Sequence, residues 1–149
     1  MVERPEVVIL VGLPGAGKST FARRFFPSHT YVSKDALPRS AKDKQRRQDA
    51  ALRHALGAGQ SVVVDNTNVT PQDRASIIAF AREFEARVSG VYVEATTREA
   101  IARNEGRAGH AKVPKVAIFT CAKRLVPPQA SEGFDSLRTT RVLPDGSFA

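Results

Sequence analysis

The chain has 149 residues, enough for one ordinary domain and its core, and its 42% hydrophobic and 26% charged content is average globular usage, which argues against a disordered chain. Its formal charge is +8 and unevenly spread: seven basic against three acidic residues between Lys34 and Arg53 give +4, and seven against two between Arg98 and Arg124 give +5. The single cysteine, Cys121, excludes an internal disulfide scaffold and fits a reducing compartment.

In chain order, Glu6 to Val11 is a continuous Val/Ile-rich run, as in a central parallel strand covered on both faces. It is far too short to cross a bilayer, and the residues from Met1 to Glu6 lack the pattern of a signal peptide. A cytoplasmic or nuclear protein, neither secreted nor membrane-bound, is expected. Lys18 to Phe26 reads as a helix stopped by Pro27, and Thr30 to Ser33 as a second strand. Lys44 to Leu56 reads as a polar helix with an apolar stripe at Leu52, Ala55 and Leu56, ended by Gly57 and Gly59. Ser61 to Asp65 is a third strand. Thr70, Pro71 and Asp73 start a helix whose apolar face is Ile77, Phe80, Ala81 and Phe84. Val88 to Ala95 follows as a strand, and Thr96-Thr97-Arg98-Glu99 has the form of a capping box opening another helix. A basic, glycine-containing loop runs from Gly106 to Val113. Pro114 restarts a helix through about Val126, Pro127-Pro128 breaks it, and Leu137 to Leu143 reads as the last strand. The alternation predicts a single α/β domain over residues 1–149, three layers deep, with a parallel sheet.

Gly12-Leu13-Pro14-Gly15-Ala16-Gly17-Lys18-Ser19 matches G-x-x-x-x-G-K-S in full, with a strand before it and helix-compatible Thr20-Phe21-Ala22 after it. Gly12, Gly15, Ala16, Gly17 and Thr20 would shape an anion nest at a helix N-terminus. Lys18 would bridge the β- and γ-phosphates of ATP or another nucleoside triphosphate, and the Ser19 hydroxyl would bind Mg²⁺. No N-K-x-D motif is present and the chain is too short for an AAA module, so a GTPase switch or AAA motor is not expected.

Asp35 follows the second strand, where a carboxylate either takes the proton of an attacking hydroxyl or caps a turn. Asp65 ends the third strand in Asp65-Asn66-Thr67-Asn68, placed to orient the metal, while Asn66 to Thr70 also read as turn and cap residues. Arg103 and Arg107, four apart, would share a helix face, either on a phosphate beneath a glycine-hinged lid or on an exposed surface. His29, His54 and His110 lack metal-ligand spacing, and Cys121 is expected in the core. The concentrated positive charge would suit a polyanionic partner or a solvated basic surface.

Together these segments resemble the 5′-hydroxyl polynucleotide kinases, above all the kinase domain of polynucleotide kinase-phosphatases. The resemblance runs from about Val7 to Leu137 through G-L-P-G-A-G-K-S-T-F (Gly12 to Phe21), V-S-K-D (Val32 to Asp35) and V-V-D-N-T-N (Val63 to Asn68). It continues through R-N-E-G-R (Arg103 to Arg107), Val113-Pro114 and A-S-E-G-F (Ala130 to Phe134). It implies that Lys18 and Ser19 hold phosphate and Mg²⁺, that Asp35 is the general base and that Asp65 supports the metal. It implies further that Arg107 and Arg103 are lid arginines, that Lys34, Asp35 and Arg39 meet the acceptor, and that Glu132-Gly133-Phe134 lies near the adenine. The chain departs from the family in carrying Lys34 before the aspartate, where arginine is frequent, and Pro38 with Arg39 after it. The expected function is ATP- and Mg²⁺-dependent phosphorylation of 5′-hydroxyl DNA or RNA ends. The alternatives are a sugar or antibiotic kinase of similar fold and a nucleotide-switched binding protein.

Overall fold

The computed structural model describes residues 4–37, 40–109 and 112–149. Met1 to Glu3, Pro38, Arg39 (an expected acceptor contact) and His110 lie outside the described residues. The first strand, β1 (Glu6–Val11), occupies the middle of the sheet because it is apolar on both faces. Val7, Ile9 and Val11 enter one core cluster and Val8 and Leu10 another, and none of the five is exposed. The other strands are β2 (Thr30–Val32), β3 (Val62–Asp65), β4 (Arg87–Val93) and β5 (Ser136–Thr140). They lie in the order β2-β3-β1-β4-β5 with every neighbouring pair parallel, as the alternating sequence predicts.

One face of the sheet is covered by α2 (Lys44–Gly57) and α3 (Pro71–Glu83), through Leu52, Ala55, Leu56, Ile77, Ile78 and Ala81. The other is covered by α1 (Lys18–Phe25), through Phe21 and Ala22, with Phe148 of the last residues packed beside them. Two further helices, α4 (Thr97–Glu105) and α5 (Lys115–Arg124), enclose a third cluster with Leu13, Ala100 and Ile118. The chain leaves β1 toward β2 and β3 on one side and β4 and β5 on the other. The carboxyl end of β1 is therefore a topological switch point, where parallel sheets bind ligands.

The predicted capping box of Thr96 with Glu99 forms, and the expected cap Thr70 forms a second one with Asp73. Phe80 and Phe84 pack at the margin of the α3 face. Several boundaries move. The last helix stops at Arg124 because Leu125 turns extended, and the Val126 N–H then bonds the Val69 carbonyl at 2.8 Å. The last strand stops at Thr140, after which the chain folds back and pairs Val142 with Phe148 in antiparallel fashion. Cys121 is half-buried beside the third cluster rather than enclosed, since its helix lies at the edge of the domain. Arg74, on the buried side of α3, has no exposed surface. Among the described residues no helix is long and apolar enough to cross a membrane.

Candidate active site

The phosphate loop joins β1 to α1 in a conformation that only its glycines permit. Gly15 and Gly17 have φ of 87° and 107°, in the left-handed region. A Cβ on Gly15 would lie 2.5 Å from the Ala100 carbonyl oxygen, and one on Gly12 would lie 2.7 Å from that of Val93. The Ala16 N–H closes a turn on the Leu13 carbonyl at 3.0 Å, while among the described residues the N–H groups of Gly15, Gly17, Lys18 and Ser19 have no backbone acceptor. They form the cradle of free donors that a phosphate chain requires.

Lys18 is buried and donates to the Leu13 carbonyl at 2.9 Å. Burial pushes its ammonium below the usual lysine range; Asp65 and Asp35 oppose that shift and Arg107 adds to it. The predicted base, metal carboxylate and second lid arginine thus all act on the phosphate-loop lysine. Thr20 is exposed on the first turn of α1.

Asp65 is buried at the end of β3, and its Oδ2 accepts a hydrogen bond from Ser19 Oγ at 2.7 Å. This hydroxyl and carboxylate, adjacent to a phosphate cradle, are the oxygen donors that suit Mg²⁺. The Tyr31 phenol donates to the same Oδ2 and lies 3.5 Å from Ser19 Oγ. Burial, then the Asp65 bond, push Tyr31 up to about 12, so it is a protonated donor at neutral pH.

Asp35 is exposed on a 3₁₀ turn, Lys34–Ala36, whose first N–H groups are capped twice. The Asp35 N–H bonds Ser33 Oγ at 3.1 Å, and the Lys34 N–H bonds Asn66 Oδ1 at 2.8 Å. Asn66 in turn donates from Nδ2 to Gln48 Oε1 at 2.6 Å, and both side chains are buried. One step along, Asn68, at φ 48°, donates to the Leu10 carbonyl at 2.8 Å. A polar cavity of about 300 Å³ opens here, bounded by Lys34 and Asp35, by Gln45 and Gln48 of α2, and by Gln72 and Ser76 of α3. Asp35 therefore borders this cavity and also acts electrostatically on the phosphate-loop lysine.

Arg103 and Arg107 do not share a helix face, because α4 ends at Glu105 and Arg107 lies in the loop beyond. Arg103 reaches the phosphate loop from outside, with NH1 at 3.3 Å from the Gly15 carbonyl and 3.5 Å from that of Ala16. Its NH2 is 3.8 Å from Glu99, which also binds Arg141. The loop after α4 is clasped at its base by buried Asn104, which donates to the Val113 carbonyl at 2.7 Å and accepts from its N–H at 2.9 Å.

Glu132-Gly133-Phe134 packs against α3. Phe134 is buried in the cluster on the α3 face of the sheet, opposite α1, and Glu132 pairs with Arg74 at 2.7 Å and 2.9 Å. The segment braces α3 rather than bordering the phosphate loop.

Sequence reasoning missed Gln48, Tyr31 and Asn104. The signal for Gln48 was its place one turn before Leu52 on the buried stripe of α2, where a polar side chain needs a buried partner. Nothing local marks Tyr31, whose partners lie 12 and 34 residues away.

A family model described as AAA domain matches residues 7–128. A bifunctional polynucleotide phosphatase/kinase of Schizosaccharomyces pombe is 34% identical over 140 residues, which are 91% of this chain and 33% of that protein. A putative bifunctional polynucleotide phosphatase/kinase of Acanthamoeba polyphaga mimivirus is 29% identical over 155 residues, 97% of this chain and 35% of that one. The chain thus spans about a third of the length of the curated relatives it matches. A chain in the structure of the Pnkp1/Rnl/Hen1 RNA repair complex superposes with a TM-score of 0.71 at 25% identity, covering 84% of this chain and 45% of that one. The resemblance to polynucleotide kinases read from the motifs is borne out. The expectation that the chain is too short for an AAA module is not: the residues matched hold the phosphate loop, all but the last strand and the five helices, and the chain belongs to the AAA domain family.

Proposed function

We propose that this chain is a single-domain, ATP- and Mg²⁺-dependent polynucleotide 5′-hydroxyl kinase. The observation that carries the reading is that Asp35 lines a polar cavity while its charge favours the charged form of the phosphate-loop lysine. In this reading the 5′-terminal nucleotide enters the cavity, with its hydroxyl toward Asp35 and the γ-phosphate of ATP in line beyond it. Asp35 takes the hydroxyl proton as that oxygen bonds phosphorus and the bond to the ADP oxygen breaks. Lys18 exchanges the Leu13 carbonyl for phosphate oxygens, and the phosphate-loop N–H groups hold the triphosphate. Mg²⁺, held by Ser19 with Asp65 beside it, would neutralise charge on the phosphates. Arg107 acts from the loop after α4, and Arg103 braces the phosphate loop at Gly15 and Ala16.

The acceptor is a polyanion on electrostatic grounds. Lys42, Arg46 and Arg47 are exposed at the start of α2, the helix that presents Gln45 and Gln48 to the cavity. A sugar kinase needs no such surface, whereas a nucleic-acid strand leaving the cavity would meet it. The similarity to polynucleotide kinases supports the same choice. The enzyme would work in a reducing compartment, cytoplasmic or nuclear, where one unpaired cysteine is ordinary.

The test is transfer of labelled γ-phosphate from ATP with Mg²⁺ to 5′-hydroxyl DNA and RNA oligonucleotides, with 5′-phosphorylated strands as blocked controls. Label confined to 5′-hydroxyl strands, lost in Asp35→Ala and falling steeply with salt, is expected. Absence of label on any strand while ATP still binds would overturn the acceptor assignment, and gluconate and other small hydroxyl acceptors would then be tried.

A further inference from the structure

The Tyr31 phenol has no place in the proposed chemistry, yet it sits against the metal pair. Tyr31 leaves β2 with 46% of its surface exposed, and its hydroxyl turns inward to bond Asp65 Oδ2, the oxygen that also receives Ser19 Oγ. The same hydroxyl lies 3.5 Å from Ser19 Oγ, so the phenol meets both members of the pair. A tyrosine on an edge strand could lie flat on the surface; here it reaches a buried carboxylate.

We infer that Tyr31 is a positioning residue for the divalent cation, fixing Asp65 so that Asp65 in turn fixes Ser19. A serine hydroxyl binds a cation through an oxygen lone pair, so its hydrogen must point elsewhere. In this site the hydrogen points at Asp65 Oδ2. The lone pairs of Ser19 are aimed only as well as that carboxylate is held, and the phenol is the second donor that holds it. Outer partners of this kind, which touch a ligand and not the metal, set cation affinity by orientation.

The inference rests on the proposed reading of Ser19 and Asp65 as a nucleotide-metal site, and is independent of the acceptor. Its test is therefore binding, with Mn²⁺ as the cation and ADP as the nucleotide. Free Mn²⁺ is followed by electron paramagnetic resonance in wild type and in Tyr31→Phe. The Kd for Mn²⁺ in the presence of ADP should rise about tenfold in the variant, the lower end of what such partners contribute. ADP affinity without metal should stay within twofold, a separation that general damage to the fold would not produce.

A second measurement uses the native phenol. The chain has two tyrosines and no tryptophan, so Tyr92→Phe leaves Tyr31 as the only strong emitter. A phenol hydrogen-bonded to a carboxylate emits weakly. A cation beside Asp65 draws charge from that acceptor, so the emission should rise as Mg²⁺ is added with tripolyphosphate, which has no absorbing base. A Tyr31→Phe protein that binds Mn²⁺ within twofold of wild type, or a Tyr31 emission unmoved by Mg²⁺ and tripolyphosphate, would overturn the inference. Failure of the wild type itself to bind Mn²⁺ with ADP would overturn the metal reading and the inference with it.

Discussion

Replacing Asn66 with alanine should separate catalysis from nucleotide binding. Its side chain accepts from the Lys34 N–H at 2.8 Å and donates to Gln48 Oε1 at 2.6 Å, so the turn carrying Asp35 is tied through it to α2. Two hydrogen bonds at roughly 1 kcal/mol each, plus 1–3 kcal/mol for leaving the Gln48 oxygen without a donor, set a range of about 3–5 kcal/mol. Both residues border the 300 Å³ polar cavity, so water can reach the orphaned groups, and the loss should fall to about 2 kcal/mol. For a chain of this length that is a fall in Tm of roughly 4–8 °C. The functional effect should be larger. The Asp35 turn keeps its Ser33 cap but loses its anchor, and a misplacement of about 1 Å is enough to lower the rate of transfer on the order of 100-fold. Lys18, Ser19 and Asp65 make no contact with Asn66 among the described hydrogen bonds, so ATP affinity should hold. The assay is single-turnover phosphoryl transfer beside calorimetric ATP binding. A rate within threefold of wild type despite the lower Tm would refute the reasoning, because the Ser33 cap alone would then hold the base. A fall in ATP affinity in step with the rate would refute it as well.

Glu132→Ala should destabilise the fold by about 3–5 kcal/mol in denaturant unfolding, since it strands Arg74 with no exposed surface, and Arg74→Met with Glu132→Leu should cost much less. Burial would raise the Glu132 carboxyl, but the Arg74 hydrogen bonds and the Gln129 N–H outweigh it and hold it below its ordinary 4.5. The stability it contributes is therefore present above pH 4.5 and lost as pH falls through its lowered value, so Glu132→Gln should flatten that limb of the stability profile. Asn104→Ala removes both bonds across the base of the loop after α4, and should make the loop between Gly106 and Lys112 more sensitive to limited proteolysis. It should also raise the KM for ATP about tenfold if Arg107 acts from that loop. Phe148→Ala deletes edge-on contacts to Phe21 at 5.0 Å and Phe25 at 5.9 Å and should cost about 2 kcal/mol by thermal unfolding.

How much of this was legible in the sequence follows from where each residue's partners lie. The groups that would do chemistry stand at the ends of strands or in the turn after them. Lys18 and Ser19 follow β1, Asp35 follows β2, and Asp65 ends β3. A short apolar run followed by an acidic or glycine-rich turn can be read without knowing the fold, and a parallel sheet then brings those ends together. Element boundaries were readable where the capping residues are local, as at Thr70 and Thr96, and were misplaced where a distant contact decides them, as at Val126 with Val69. Arg103 and Arg107 were paired by spacing alone, but their helix ends between them.

The residues that went unread are those that hold the readable ones in place. Gln48 braces Asn66, Tyr31 braces Asp65, Asn104 closes the loop of Arg107, and Arg74 draws Glu132 beneath α3. Each is a polar side chain whose role is set by a partner elsewhere in the chain, even where, as at Asn104, it lies within a quoted motif. Arg74 shows the rule most clearly. At its place on α3 the helical pattern asks for an apolar residue. The arginine is tolerated because Glu132, 58 residues later, meets it with both oxygens while Asn68 offers a carbonyl at 2.9 Å. Asn68 in turn holds the end of β1 through Leu10, two residues before Gly12 opens the phosphate loop. The ion pair that anchors the A-S-E-G-F segment is thus two hydrogen bonds from the end of the strand that carries the phosphate loop, and this is a physical reason for that segment to accompany the loop.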